Sequence, residues 1–458
     1  MAKHPKRPKQ LPEMPWQPVK RMTEPLARFM RVEAAGGVVL LCCTIAALVL
    51  ANSPWSEAFL AIWETEVHFE IEGVFKSNYP HITLKHLIND GLMGIFFFVI
   101  GLEVKREIVL GELREIRRAA LPIAAALGGM VVPAGLYMAY IAMQQDQSAM
   151  RGWGIPMATD IAFVVGCMAL LGSRVPKSLR VMLLSLAIVD DIGAILVIAL
   201  GYTDPDKLST EWLVWGFLGL GLCFVLGRIG VRSLFVYFVV GFFVWLAFHE
   251  SGVHATIAGV LLGLLTPARR WVSEGLFADI VERANDVFTG DLPDEEKIGA
   301  TIYVKQAARE SLPPLERIEM AMHPWVGFFI MPIFALANAG VVIDVGALLS
   351  PVAIAVMVGL VVGKPVGVLL TSWLAGKSGV AQLPSGVTWK AIAGGGLLAG
   401  IGFTMALFIA GLAFYGDTEG YAELLDEAKI GILAGSTIAA VLGMTLLMMA
   451  LPKVDADV

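Results

Sequence analysis

The chain has 458 residues, 57% of them apolar and only 16% charged, with a mean hydropathy of +0.72. Soluble domains carry roughly 25% charged residues, so an ordinary soluble fold is excluded. With 34 Lys plus Arg against 40 Asp plus Glu, a nucleic-acid-binding surface is excluded too, and the class that remains is a polytopic helical membrane protein. The 48 glycines suit helices that approach closely in a bilayer. The four cysteines, Cys42, Cys43, Cys167 and Cys223, all lie in apolar runs and form neither a disulfide framework nor a metal-ligand spacing.

In chain order, residues 1–32 are basic and Pro-rich, with no short apolar core or small-residue cleavage site. They predict a cytoplasmic tail, not a signal peptide. A spanning helix needs about 20 mainly apolar residues. Such stretches fall at 34–53, 85–103, 119–143, 152–171, 181–201, 211–228, 231–249, 252–267, 323–343, 351–374, 391–414 and 429–451, with 252–267 the shortest. The expectation is therefore an all-α transporter domain of twelve transmembrane helices over 33–451, closed by a C-terminus at 452–458. With the N-terminus inside, 28 of the 34 basic residues fall on the inner side. Only Lys76, Lys85, Arg151, Lys207 and Lys429 fall outside, and Lys364 lies within the membrane. Basic residues mark cytoplasmic loops, so both termini are expected in the cytoplasm. The outer loop 54–83 contains Glu66-Val67-His68-Phe69-Glu70-Ile71-Glu72, a period-2 alternation that predicts a strand and a short hairpin. The inner loop 268–322 is polar, with helical amphipathicity over 276–287, and is too short for a second soluble domain.

Four ionisable residues sit near the middle of apolar segments: Asp160, Asp190, Asp191 and Lys364. A charge at a helix centre costs about 2.5–3.5 kcal/mol on the insertion scale. A structural ion pair between Lys364 and one Asp is the bland explanation, and it leaves two acids over. Adjacent helix positions point about 100° apart, so Asp190 and Asp191 cannot both face one partner. Surplus acids at mid-membrane depth mark a cation or proton path.

The stretch Gly152-Trp153-Gly154-Ile155-Pro156-Met157-Ala158-Thr159-Asp160 should interrupt its helix, because Pro156 removes a donor and disfavours helix at Ile155. Gly394-Gly395-Gly396 followed by Gly400-Ile401-Gly402-Phe403-Thr404 is a second break. Pairing Thr159 with Thr404 and Phe163 with Phe408 suggests an inverted-topology repeat relating segments 3–5 to 10–12. Paired interrupted helices point to a transporter binding site. Asp160 would then neutralise positive half-helix ends and Lys364 negative ones; close packing is the plainer role for most of the glycines. Other patterns fall short. His249 and His254 stand at i and i+5, one residue too many for a zinc-protease motif. An aspartyl dyad of Asp160 and Asp191 lacks its Gly-x-Gly-Asp string, and no phosphate-binding loop is present.

The strings Ala158-Thr159-Asp160-Ile161-Ala162-Phe163, Val189-Asp190-Asp191-Ile192-Gly193-Ala194-Ile195 and Val362-Gly363-Lys364-Pro365 together resemble the NhaA-type bacterial sodium/proton antiporters. So do Gly101-Leu102-Glu103-Val104-Lys105-Arg106-Glu107, Ser251-Gly252-Val253-His254-Ala255-Thr256, His323-Pro324-Trp325-Val326 and Asn338-Ala339-Gly340-Val341, over about residues 25 to 450. The resemblance implies a twelve-helix inverted-repeat fold with two interrupted helices crossing near the midplane. It implies an inner-membrane protein that exports Na+ or Li+ against protons, without a cofactor, and often as a homodimer among membrane lipids. By position, Asp191 and Asp190 are implied as the ion- and proton-binding pair. Asp160 with Thr159 is implied as the charge-compensating element at the crossing, and Lys364 as the partner of Asp190. Glu103, Glu107, His254, Glu319 and His323 correspond to positions linked to pH response; Glu103 and Glu107, flanking Lys105 and Arg106, also read as a solvated face. Met320 stands after Glu319 where the family's best-known member has a His, and the 268–322 loop is longer than usual. A passive channel or a non-transporting structural protein is the rival class, and a channel would need a ring of repeated polar residues that is not seen.

Overall fold

The computed structural model describes residues 33–67, 70–71, 75–76, 83–203, 208–231, 233–344, 346–416 and 420–451. The expected tail (1–32), the C-terminal residues 452–458 and His68, Phe69 and Glu72 of the expected strand lie outside the described residues. In hydrocarbon only a helix satisfies every backbone group inside its own segment, and apolar runs accordingly fold as helices throughout.

The chain opens with α1 (Glu33–Ala51) and α2 (Ser56–Trp63). Two short strands follow, β1 (Glu70–Ile71) and β2 (Phe75–Lys76), paired antiparallel with Glu70 opposite Lys76 and Ile71 opposite Phe75. Glu66 forms an isolated bridge with Thr83. Then come α3 (Leu84–Val109), α4 (Ile116–Gln144), a 3-10 stretch (Ala149–Met157), α5 (Ile161–Leu171), α6 (Lys177–Gly201) and α7 (Thr210–Ile229). The second half runs through α8 (Leu234–Glu250), α9 (Ala255–Leu265), α10 (Glu274–Thr289), α11 (Asp294–Glu310) and α12 (Pro314–Asn338). It ends with α13 (Pro351–Lys377), α14 (Trp389–Ala399), α15 (Phe403–Ala413) and α16 (Tyr421–Ala450).

Among the described residues, eight helices are long and apolar enough to cross a membrane, or nine if α14 and α15, bent 46° at their break, form one span. The apolar parts of α1, α8 and α9 are shorter. Helix α9 has 11 residues, about 16 Å at 1.5 Å per residue, against a hydrocarbon core of about 30 Å. The expected span 252–267 is thus a half-length helix; Ser251–Val253 form a turn and His254 caps its start.

One large core gathers α3 to α6 and α12 to α16. A smaller one joins α7, α8 and α9 through Leu220, Val244, Phe248 and Ala258. The packing that matters for the site is that of α13 on α4. Gly128 and Gly367 meet so closely that a Cβ on either would strike the other's backbone carbonyl, and this approach brings the Lys364 stem over Gly129. A π-helical turn, Gly359–Gly363, precedes Lys364. Pro365 supplies no N–H, and a turn of this kind is a recognised way to take up such a fault and re-aim the next side chain.

The inner loop 268–322 holds more helix than its sequence suggested. The amphipathic stretch 276–287 is the body of α10, but α11 stands beside it and the first turns of α12 complete the loop. The amide N–H groups of Trp271 and Val272 donate to the Glu310 carbonyl at 3.3 and 3.2 Å, and that of Leu315 to the Pro267 carbonyl at 3.2 Å, closing the base of this helical hairpin.

Candidate functional site

The two expected helix breaks come together in space. The first half-helix stops at Met157, Ala158 is extended, and α5 restarts at Ile161. The second break, at Gly400-Ile401-Gly402, separates α14 from α15. The Asp160 N–H donates to the Ile401 carbonyl at 2.7 Å, and the Thr159 hydroxyl to the Ala399 carbonyl at 2.8 Å. Each broken chain thus satisfies backbone groups of the other, which buried irregular backbone requires in a membrane.

The Asp160 carboxylate serves both restarting helices. Oδ1 accepts from the Phe163 N–H at 3.2 Å, at the start of α5. Oδ2 accepts from the Thr404 N–H at 3.0 Å and from the Thr404 hydroxyl, at the start of α15. A carboxylate at a helix N-terminus fills orphan donors and meets the positive end of the dipole; here one carboxylate does so for two helices. The Ser436 hydroxyl adds a 3.3 Å contact from the Phe403 N–H. Neither Thr404 nor Ser436 was named as a site residue from the sequence, although the pairing of Thr159 with Thr404 across the repeat was its signal.

Lys364 sits at the C-terminal end of the first half-helix, on the other side of the break from the helix starts that Asp160 serves. Its Nζ donates to Asp190 Oδ2 at 2.6 Å and also to the Met157 carbonyl, the last of the 3-10 stretch. An ammonium against unsatisfied C-terminal carbonyls is the favourable polarity. Thr159, Asp160, Asp190, Asp191 and Lys364 are each at most 2% exposed. Asp190 and Asp191, adjacent on α6, diverge as the helical geometry demands: only Asp190 pairs with the lysine. Among the described residues, Asp190 Oδ1 and Asp191 Oδ1 are buried without a hydrogen-bond partner. The charged neighbours of Asp191 are Asp190, Glu103, Asp160 and Lys364, three acids and one base. With Asp191 itself, four carboxyl groups thus gather around one ammonium.

The five remaining candidates divide. Glu319, buried on α12, is ion-paired with Arg106 of α3, and Arg106 Nη2 also lies 3.6 Å from Glu107 Oε1. Glu103 neighbours the same charges, and His323 stands near Glu319. These four form one cluster on the last turns of α3 and the first turns of α12. His254 is elsewhere: its Nε2 lies 3.2 Å from the Tyr202 carbonyl, past the far end of α6. No group of three or more His, Cys, Asp or Glu suited to a resident metal occurs among the described residues.

The profile of the family described as Na+/H+ antiporter 1 matches residues 27–447. The chain belongs to the NhaA family of Na+/H+ antiporters. It is 52% identical over 442 residues to a Na+/H+ antiporter NhaA of Rhodopirellula baltica, covering 96% of this chain and 97% of that one. A Na+/H+ antiporter NhaA of Rhizobium meliloti is 51% identical over 439 residues (94% and 96%), and NhaA 2 of Acidiphilium cryptum 49% over 450 (97% and 96%). The NhaA family and the long apolar helices together make this a multi-pass membrane protein.

Proposed function

We propose that the protein is a secondary transporter, not an enzyme, that exports Na+ or Li+ in exchange for periplasmic protons and needs no cofactor beyond its cargo ions. The observation that carries the reading is Asp191, whose carboxylate oxygen is buried without a partner beside the Lys364–Asp190 pair and the crossing of two broken helices. Hard carboxylate oxygens suit a small hard cation. In the deprotonated state, Asp191 and Asp190 receive Na+ from the cytoplasm. The carrier then rocks about the crossing, and protons from the far side displace the ion. Each net charge moved is worth about 2.3 kcal/mol per 100 mV, so exchanging more protons than Na+ lets the membrane potential drive export. Asp160 with Thr159 holds the crossing together electrostatically, and Lys364 keeps Asp190 in place when the site is empty.

The reading includes the twelve-span count, with α14 and α15 as one span and α1, α8 and α9 completing the set, and an inverted repeat of spans 3–5 and 10–12. It places the domain 33–451 in the bacterial inner membrane with the tail 1–32, the loop 268–322 and residues 452–458 in the cytoplasm. The Glu103, Glu107, Glu319 and His323 cluster then lies at the cytoplasmic entrance, where pH response is expected, and His254 near the periplasmic side. Purified protein in proteoliposomes decides between exchange and a channel. Saturable Na+ uptake driven by a pH gradient is the expected result, whereas dissipation of any imposed ion gradient would point to a passive pore.

The loop 54–83 is then periplasmic, and its hairpin is the homodimer contact. Among the described residues the sheet has two strands, whose outer edges a twin across a two-fold axis would satisfy. Deleting 65–76 is expected to shift the detergent-solubilised protein toward monomer by light scattering while exchange persists. An unchanged dimer population would place the contact elsewhere.

A further inference from the structure

A cavity of about 180 Å³ lies where α2 ends, α3 and α16 begin and α12 ends. Lys85 on α3 and Arg106 on the same helix are separated by about 21 residues, roughly 32 Å along the axis, so this cavity and the Arg106–Glu319 cluster lie at opposite faces of the bilayer. Four charges line it. Lys85 Nζ is 3.8 Å from Glu64 Oε1, and Lys429 Nζ donates to Asp426 Oδ1 at 2.9 Å. The two ammonium groups and the two carboxylates form one cluster, since Lys85 also neighbours Lys429 and Asp426.

The charges are layered. Lys429 is 7% exposed and Lys85 largely covered, while the Glu64 and Asp426 side chains are 63% and 57% exposed. The donors are thus inside and the acceptors at the rim. Trp63 also lines the cavity, and its Nε1 is buried without a hydrogen-bond partner among the described residues. Each ammonium has three donors and one carboxylate within 4 Å.

From this layering we infer that the cavity binds a phosphoethanolamine headgroup, its phosphate on Lys85 and Lys429, its ammonium on Glu64 and Asp426. The net charge of the four side chains is zero, which matches a zwitterion. A purely anionic group would meet two carboxylates at the rim. A quaternary ammonium would have no N–H to give them. The apolar wall formed by Leu60 and Val342 offers a surface for the glycerol end of a lipid.

The test is native mass spectrometry of the full-length protein in detergent, with phosphatidylethanolamine, phosphatidylcholine or phosphatidylglycerol added in equal amounts. Phosphatidylethanolamine is expected to be retained about tenfold better than the other two, the worth of one charge-assisted hydrogen bond. Glu64→Gln, at an exposed position, should abolish the preference over phosphatidylcholine while phosphate-dependent retention persists. Lys85→Gln and Lys429→Gln should lose retention of phosphatidylethanolamine. Should Lys429→Gln fail to fold, the Glu64 and Lys85 variants decide alone. Competition by soluble glycerophosphoethanolamine would support the site with the headgroup as sufficient ligand; retention of the lipid despite it would support the site with the acyl chains contributing. Equal retention of the three lipids, or an unchanged preference in Glu64→Gln and Lys85→Gln, would overturn the proposal.

Discussion

Lys364→Ala is expected to destabilise the protein by about 3–5 kcal/mol, the usual result of removing one member of a buried ion pair. Two partners are stranded at once. Asp190 loses the donor 2.6 Å from its Oδ2 while its Oδ1 already has none, and the Met157 carbonyl loses its cap. Lys364 is fully buried, so water cannot replace it without opening the packing of α13 on α4. A large fall in the detergent melting temperature is the expected reading, greater than that of Asp191→Asn. Replacing Asp190 as well, in Lys364→Ala/Asp190→Asn, should recover part of the loss, because the orphaned charge is then gone. A Lys364→Ala protein as stable as the parent would mean that the ammonium is hydrated in the membrane.

Asp191→Asn carries the largest expected effect on activity. The substitution keeps volume and shape and removes the charge from a residue that makes no ion pair with Lys364, so the protein should insert, fold and melt close to the parent temperature. Na+-dependent proton movement should disappear at every Na+ concentration, since neutral Asn neither releases a proton nor supplies a formal charge to the ion. Normal exchange at saturating Na+ would move the binding site elsewhere.

The candidate site was legible in the sequence because a bilayer makes charge conspicuous. Asp160, Asp190, Asp191 and Lys364 stand out in apolar runs as they would not in a soluble protein, and Pro156 and the Gly400-Ile401-Gly402 string mark where helix must fail. What the sequence did not carry is which backbone groups those charges would meet. That Lys364 caps Met157, or that Asp160 holds the start of α15 through Thr404 as well as the start of α5, depends on segments 207 and 244 residues apart meeting at one depth. Hydropathy also fades where helices leave the membrane. Helix α12 begins at Pro314, nine residues before the apolar stretch at 323, since its first turns mix Leu315 and Ile318 with Glu316, Arg317 and Glu319 and so lack a continuous apolar run. Helix α11 escaped for a related reason: it begins Asp294-Glu295-Glu296 and is strongly polar, and it is held by packing on α10. In the opposite direction, the apolar composition of 252–267 suggested a full-length span, whereas α9 has 11 residues and packs closely against α3, where Gly101 meets the backbone of Val260 and Gly263.

The central claim is that Na+ and protons compete for one buried carboxylate pair, and the apparent KM for Na+ as a function of pH tests it most directly. In proteoliposomes, ΔpH dissipation on adding Na+, Li+ or K+ is followed at a series of pH values. Competition requires KM for Na+ to rise at least about tenfold for each unit of acidification once the pair is protonated, because ion binding must then release one proton or more. The rate at saturating Na+ should change far less. Li+ should behave as Na+ does, and K+ should give no signal. A KM for Na+ that stays flat across the acidic range while the maximal rate falls would contradict competition and place the proton and the ion at separate sites.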